Sequence, residues 1–266
     1  MNPFKYGQVV SKHHYCARPT LEKKLQSKLN DGQNVYIEGE RRTGKTSLIF
    51  ETVRKTRSKK ILYIDFMEVK AIEDIFKRIL NAIVAAQRNS SSLHTFLKSI
   101  TALRPAVTFN PISGLPTVSI DRSREYQPDS IEGLFDIIGS NAFTNTVIVM
   151  DEFQDIQNCN DYRQVCAIMR SKIQFFDTIP FVFCGSFRSK MHKMFNDPES
   201  PFFKSALLIE VGTIEEDSFK KFLGVKFKEA KLKFSPDILN KMLLITKGNP
   251  GDTQQLGAAL VDIRNE

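Results

Sequence analysis

The chain has 266 residues, 41% of them hydrophobic with 21 Phe and no Trp, and a net charge of +8; its mass is 30.4 kDa and its pI near 9.2. That is enough for a packed core in one large α/β domain, or in such a domain with a small companion. No apolar run reaches the length of a membrane span, the first residues lack the apolar block of a secretion signal, and Cys16, Cys159, Cys166 and Cys184 form no C-x-x-C pair. These features disfavour a membrane protein, a disulfide frame and a zinc site, and lead to the expectation of a cytoplasmic protein with reduced thiols.

In chain order, the first strand covers Val35 to Glu38, and the residues that follow it are the most informative in the chain. Gly39-Glu40-Arg41-Arg42-Thr43-Gly44-Lys45-Thr46 is a complete G-x-x-x-x-G-K-T octet, and Ser47 continues into an amphipathic helix. In this strand–loop–helix setting the two glycines let the backbone wrap tightly with its N–H groups inward, and the new helix turns its positive end to the same spot. Lys45 reaches the β- and γ-phosphates of a nucleoside triphosphate, and the Thr46 hydroxyl takes a place on Mg²⁺.

A second strand runs from Lys60 to Phe66, and Ile72, Ile75, Phe76, Ile79, Leu80 and Ile83 then mark the buried face of a helix. Between about 104 and 122, two short strand-like runs around a Pro/Gly turn predict an inserted β-hairpin. A helix is predicted from Ser130 through Ile138, a strand over Thr146 to Glu152, a helix over Tyr162 to Phe176, and strands over Pro180 to Ser186 and Leu207 to Val211. Alternating strands and helices argue for a parallel five-stranded sheet covered on both faces. Past Val211 the pattern turns helical: Thr213 with Glu216 reads as a capping box, Ser235-Pro236 opens a second helix that Gly248 closes, and Asp252 reads as the cap of a third. The expected organisation is an α/β nucleotide-binding domain over residues 1–212 and a small helical lid over residues 213–266.

Asp151-Glu152 ends an apolar strand downstream of the phosphate loop. An acid placed there orders the Mg²⁺ shell, and its neighbour holds the attacking water and accepts its proton. Asp65, also at a strand end, is a rival for the metal; without a second acid beside it, a switch-loop or structural role is preferred. Ser186 at the end of the fourth strand either senses the γ-phosphate or serves a turn. Arg188 and Lys204 read as solvated cations, and His13-His14 as surface or cleft polar residues. Basic residues gather in 54–60 and 220–233, which keeps a nucleic-acid partner open.

Four segments in order, Glu-Arg-Arg-Thr-Gly-Lys-Thr-Ser-Leu-Ile, Val-Ile-Val-Met-Asp-Glu-Phe-Gln, Phe-Cys-Gly-Ser and Lys-Gly-Asn-Pro, give the chain a resemblance to the archaeal-type ATPases of the STAND group. These are relatives of AAA+ proteins and, more distantly, of origin-recognition initiators. The resemblance covers nearly the whole chain. It implies an AAA+-like P-loop fold, an adenine nucleotide (ATP/ADP), Arg18 near the adenine, Ser186 in the sensor position, and Pro250 brought against the nucleotide by the lid turn. Relatives often carry Gly-Arg where this chain has Phe203-Lys204-Ser205, and Lys204 is a poor planar substitute, so no arginine finger is assigned. They also commonly continue into a winged-helix or other C-terminal domain, which makes a chain ending at Glu266 either a minimal form or a fragment.

The leading expectation is a slow Mg-ATPase that acts as a nucleotide-controlled switch on a protein partner or a homo-oligomer. The alternatives are a DNA-associated initiator- or transposition-helper-like ATPase, and a non-hydrolysing, nucleotide-gated assembly module.

Overall fold

A computed structural model of the chain describes residues 2–56, 59–87, 106–109, 116–119, 127–140 and 143–265. Seven β-strands are present among them: β1 Val35–Glu38, β2 Lys60–Asp65, β3 Ala106–Phe109, β4 Pro116–Ser119, β5 Thr146–Asp151, β6 Phe181–Gly185 and β7 Leu207–Glu210. Five of these form one sheet in the order β2-β5-β6-β1-β7, and β3 and β4 form a separate pair. In the sheet β2 runs parallel to β5, with Lys60 opposite Thr146 and Asp65 opposite Asp151, and β5 runs parallel to β6. β1, β5 and β6 are buried along their whole length, which is why they read as continuous apolar runs with no alternation. The predicted hairpin is present as the antiparallel pair β3 and β4; its turn, residues 110–115, lies outside the described residues.

The helices are α1 Pro19–Asn30, α2 Lys45–Lys55, α3 Ile72–Gln87, α4 Glu132–Ile138, α5 Tyr162–Ile173, α6 Arg188–Asn196, α7 Glu216–Glu229, α8 Pro236–Thr246 and α9 Pro250–Asn265. Two of them were not among the expected elements. α1 starts at a proline, the first-turn position where a missing N–H does no harm, and buries Leu25 and Leu29 completely. α6 hides its apolar face in Met191, Met194 and Phe195 amid basic residues that mask the pattern.

Two caps also differ from expectation. Helix α7 is capped by Glu215, whose carboxylate accepts from the Asp217 and Ser218 amides, so Thr213 and Glu216 do not form the capping box. Helix α9 is capped by Asn249, whose Oδ1 accepts from the Gly251 and Asp252 amides at 3.0 and 3.2 Å. Asp252 therefore stands inside the first turn, where its charge suits the positive helix end.

The chain divides into two compact units. One consists of Met1–Ser27, Ile37–Arg57 and Ile209–Glu266; the other of Lys28–Tyr36 and Ser58–Leu208. In the first, Phe4 enters the apolar cluster of α7, α8 and α9 with Phe219, Leu223, Phe227 and Met242. In the second, Phe153 lies at the centre of an aromatic group, with ring centroids 4.8 Å from Phe183 and 5.4 Å from Phe202. All four cysteines are buried and free, and burial pushes the Cys166 thiol up to about 12, which leaves it protonated and unreactive at neutral pH. No helix among the described residues is long and apolar enough to cross a membrane, and no cluster of metal-ligating side chains of the His/Cys/Asp/Glu kind occurs among them.

Candidate nucleotide site

The phosphate loop is built by close backbone approach. A Cβ on Gly39 would stand 2.5 Å from the Val211 carbonyl oxygen, so that position takes only glycine. Gly44 caps α2 in the left-handed region, φ 83° and ψ 28°, again a glycine conformation. Thr43 Oγ1 donates to the Glu40 carbonyl at 2.9 Å and closes the loop on itself. The buried Lys45 amine lies across the loop, donating to the carbonyls of Gly39 at 2.9 Å and Glu40 at 2.8 Å. Thr46, half-buried in the first turn of α2, follows it. Ser47 is turned elsewhere: its Oγ accepts from the Val10 amide at 3.0 Å. Lys12 N–H donates to Glu51 at 3.2 Å one turn later, so the N-terminal segment is laced along α2.

Arg18 is 7% exposed. Its guanidinium donates to the Thr43 carbonyl at 2.7 Å and the Gly212 carbonyl at 2.8 Å, and burial holds its pKa below the usual arginine value. It braces the loop's last turn against the chain leaving β7. Arg18→Met would leave the buried Thr43 carbonyl without its donor, at about 1–3 kcal/mol, while the Gly212 carbonyl on an exposed residue can turn to water. The expected result is a melting temperature lower by roughly 2–12 °C. A melt unchanged within error would mean that the brace is idle.

The turn between α8 and α9 touches the loop directly. The Asn249 side-chain amide donates to the Arg41 carbonyl at 3.0 Å, and the Gly251 N–H to the Arg42 carbonyl at 3.0 Å. Arg42, in the left-handed region at φ 66°, pairs with Asp252 at 2.6 Å and donates to Gln255 at 2.6 Å. Gly251 lies so near that a Cβ there would be 2.8 Å from Arg42 Cβ. Pro250, buried, is the first residue of α9 in this same turn. Arg41 and Glu40 are exposed.

The other unit carries the acids. Asp151 ends β5 with 6% exposure. Its Oδ2 accepts from the Tyr63 hydroxyl at 2.9 Å and its Oδ1 from the Glu152 amide at 3.0 Å. Burial, and after it the Asp151 charge, raises the Tyr63 phenol well above its ordinary value, so Tyr63 stays a donor. Glu152 turns the chain in the left-handed region, φ 47° and ψ 38°. Ser186 Oγ donates to its Oε1 at 2.8 Å and Gln154 Nε2 to its Oε2 at 2.6 Å.

Asp65 Oδ1 accepts from the Met67 amide at 2.8 Å and closes the turn after β2, the structural role preferred for it. Arg188 and Lys204 are exposed, and the Lys204 ammonium sits 5.0 Å from the Phe203 ring centroid. Tyr63 and Gln154 are the polar partners that the sequence reading did not pick out. For Gln154 the signal was its place in Asp-Glu-Phe-Gln; for Tyr63 there was none.

The strand order, the parallel sheet and the loop after β1 define the P-loop NTPase fold in its AAA+ form. Among solved structures, the Walker-type ATPase PABY2304 of Pyrococcus abyssi is similar with a TM-score of 0.68 and 18% identity, over 96% of this chain and 70% of that one. The Aeropyrum pernix ORC1 protein, solved in complex with DNA, is similar with a TM-score of 0.59 and 12% identity, over 93% of this chain and 60% of that one. Cdc6p from Pyrobaculum aerophilum is similar with a TM-score of 0.56 and 16% identity, over 96% of this chain and 62% of that one. At these identities the likeness is one of fold. This chain thus spans about three-fifths of the length of the ORC1 and Cdc6p chains. No family model and no curated protein matches the sequence.

Proposed function

We propose that this chain is an Mg-ATP-binding P-loop ATPase that works as a nucleotide-controlled switch, with slow hydrolysis coupled to movement of a lid formed by residues 213–266 on the nucleotide-binding body of residues 1–212. The observation that carries this reading is the stitching of the lid turn to the phosphate loop: Asn249 and Gly251 donate to the Arg41 and Arg42 carbonyls, and Arg42 pairs with Asp252. A loop that rearranges around phosphate cannot do so without changing the acceptors on which α9 rests. Differential contacts of this kind are what a ligand needs in order to shift a conformational equilibrium.

The donor set suits the ligands. Lys45 and the loop amides would hold phosphate oxygens, and Pro250 would meet the base. The Thr46 hydroxyl and the Asp151 carboxylate are hard oxygen donors of the kind Mg²⁺ accepts. Bound Mg²⁺ neutralises charge on the phosphates. Glu152 orients water and takes its proton, and Ser186 leaves Glu152 to read the γ-phosphate. Adenine, rather than guanine, is carried by the resemblance to the archaeal ATPases.

A second reading, a DNA-associated ATPase, is favoured by one observation: the net charge of +8 on a fold shared with an ORC1 protein solved in complex with DNA. Steady-state ATP turnover with and without duplex DNA, at low and moderate salt, separates the readings. Turnover indifferent to DNA is the expected result and supports a switch that acts on a protein partner or a second copy. Turnover that rises with DNA and loses the rise with salt would move the assignment to the DNA-coupled ATPase. Tight Mg-ATP binding with no turnover would leave a nucleotide-gated assembly module.

A further inference from the structure

We infer that Gln154 is the positioning residue for Glu152, held in a space that Gly185 leaves open. The inference rests on the reading of Glu152 as the base that accepts the proton of the attacking water.

Gln154 lies two residues past Glu152, in the 3-10 turn Phe153–Asn158, and is 1% exposed. Its amide donates to Glu152 Oε2 at 2.6 Å and to Asp155 Oδ1 at 3.2 Å. Both donors of one primary amide thus face carboxylates. Asp155 is fixed in turn, since its Oδ2 accepts from the Glu68 amide at 2.9 Å. The turn itself cannot drift. Phe153, fully buried in the aromatic group, anchors it, and the left-handed backbone of Glu152 starts it.

The fold alone does not ask for a glutamine here. Its Oε1 is buried without a hydrogen-bond partner among the described residues, a state that costs about 1–3 kcal/mol. A side chain of equal length and no polarity would fill the same volume without that cost. The Oε1 also lies against the Gly185 backbone, where a Cβ would overlap it and the Met191 side chain. The orphaned amide oxygen is a departure from good packing, and it accompanies one contact, the amide on Glu152.

The second donor to Glu152 explains why that contact matters. Ser186 holds the other carboxylate oxygen, and in the proposed mechanism it turns away to read the γ-phosphate. Glu152 then keeps only the bond that the buried glutamine supplies. Gln154 maintains the aim of the carboxylate at the moment when Ser186 has let go, and a misplacement of about 1 Å at a reacting group lowers the rate by about 100-fold.

The test is steady-state and binding measurements on the full chain carrying Gln154→Met, Gly185→Ala, Glu152→Gln, and Gln154→Met with Glu152→Gln together. Gln154→Met is expected to lower kcat by about 100-fold and to leave the Kd for Mg-ATP within about threefold. Gly185→Ala, which crowds the Gln154 amide and the Met191 side chain together with Gln154 intact, is expected to lower kcat in the same direction. The double variant is expected to be no slower than Glu152→Gln alone, because a positioning residue has nothing left to position.

Turnover of Gln154→Met within about threefold of wild type, with Glu152→Gln inactive, would overturn the inference and leave the base assignment standing. A double variant slower than Glu152→Gln by the full Gln154→Met factor would do the same. Wild-type turnover in Glu152→Gln would overturn the base assignment, and the inference with it. Melts that collapse in both Gln154→Met and Gly185→Ala would make the contact purely structural, which also overturns it.

Discussion

Lys45→Ala is expected to weaken Mg-ATP binding by close to a thousandfold while the chain stays folded. The Lys45 amine lies buried on the phosphate loop, bonded to the carbonyls of Gly39 and Glu40 at 2.9 and 2.8 Å. Phosphate binding exchanges those neutral acceptors for charged ones. Both bonds already carry the ammonium charge, so phosphate replaces an ion–dipole contact with an ion pair. At an effective dielectric of about 20, a charge pair about 4 Å apart is worth about 4 kcal/mol, or a factor near a thousand in Kd. The remaining contacts, loop amides and the positive end of α2, still attract an anion, so residual binding in the millimolar range is compatible with the expectation. Titration calorimetry with a non-hydrolysable ATP analogue measures the change. Affinity within tenfold of wild type would mean that the ammonium does not exchange its carbonyls for phosphate, and the loop would lose its assignment.

The same loop illustrates what was legible in the sequence. Gly39, Gly44 and Lys45 act within eight residues of one another, so a short motif suffices to specify them. The strands that position the site are buried on both faces, and uninterrupted apolar runs such as Val147-Ile148-Val149-Met150 state that directly. What stayed hidden depends on partners far away in the chain. Arg42 fills an unspecified position of the octet, yet it donates to Gln255, 213 positions further on. Tyr63 reaches Asp151 across 88 positions; it lies on a strand whose residues alternate only partly between buried and exposed, and nothing local marks its hydroxyl. Arg18 was placed by resemblance near the base, and its guanidinium turns out to be bonded to two backbone carbonyls. The helix caps failed for a different reason: Glu215 and Asn249 compete with Thr213 and Asp252 within a few residues, and each winner is decided by where the preceding loop leaves the backbone.

Glu152→Gln is expected to abolish turnover, by about 10²- to 10⁴-fold, with Mg-ATP affinity little changed. The substitution keeps shape and volume, and the backbone turn at Glu152, φ 47° and ψ 38°, is tolerated by a glutamine as well as by a glutamate. It changes one carboxylate oxygen into an N–H₂ group. At the Ser186 end this is harmless, since the hydroxyl that donates at 2.8 Å can rotate and accept. At the Gln154 end it is not, because the amide nitrogen that faces it at 2.6 Å only donates, and its second bond to the Asp155 carboxylate keeps the amide from flipping. The variant glutamine must therefore set its oxygen toward Gln154 and its nitrogen toward Ser186. That arrangement preserves both contacts and the fold, and removes only the capacity to accept a proton. A variant that folds, binds nucleotide and does not hydrolyse it would isolate proton acceptance as the function of Glu152. Turnover at the wild-type rate would instead leave Glu152 as a hydrogen-bonding hub between Ser186 and Gln154, and the chain as a nucleotide-gated module that works by binding alone.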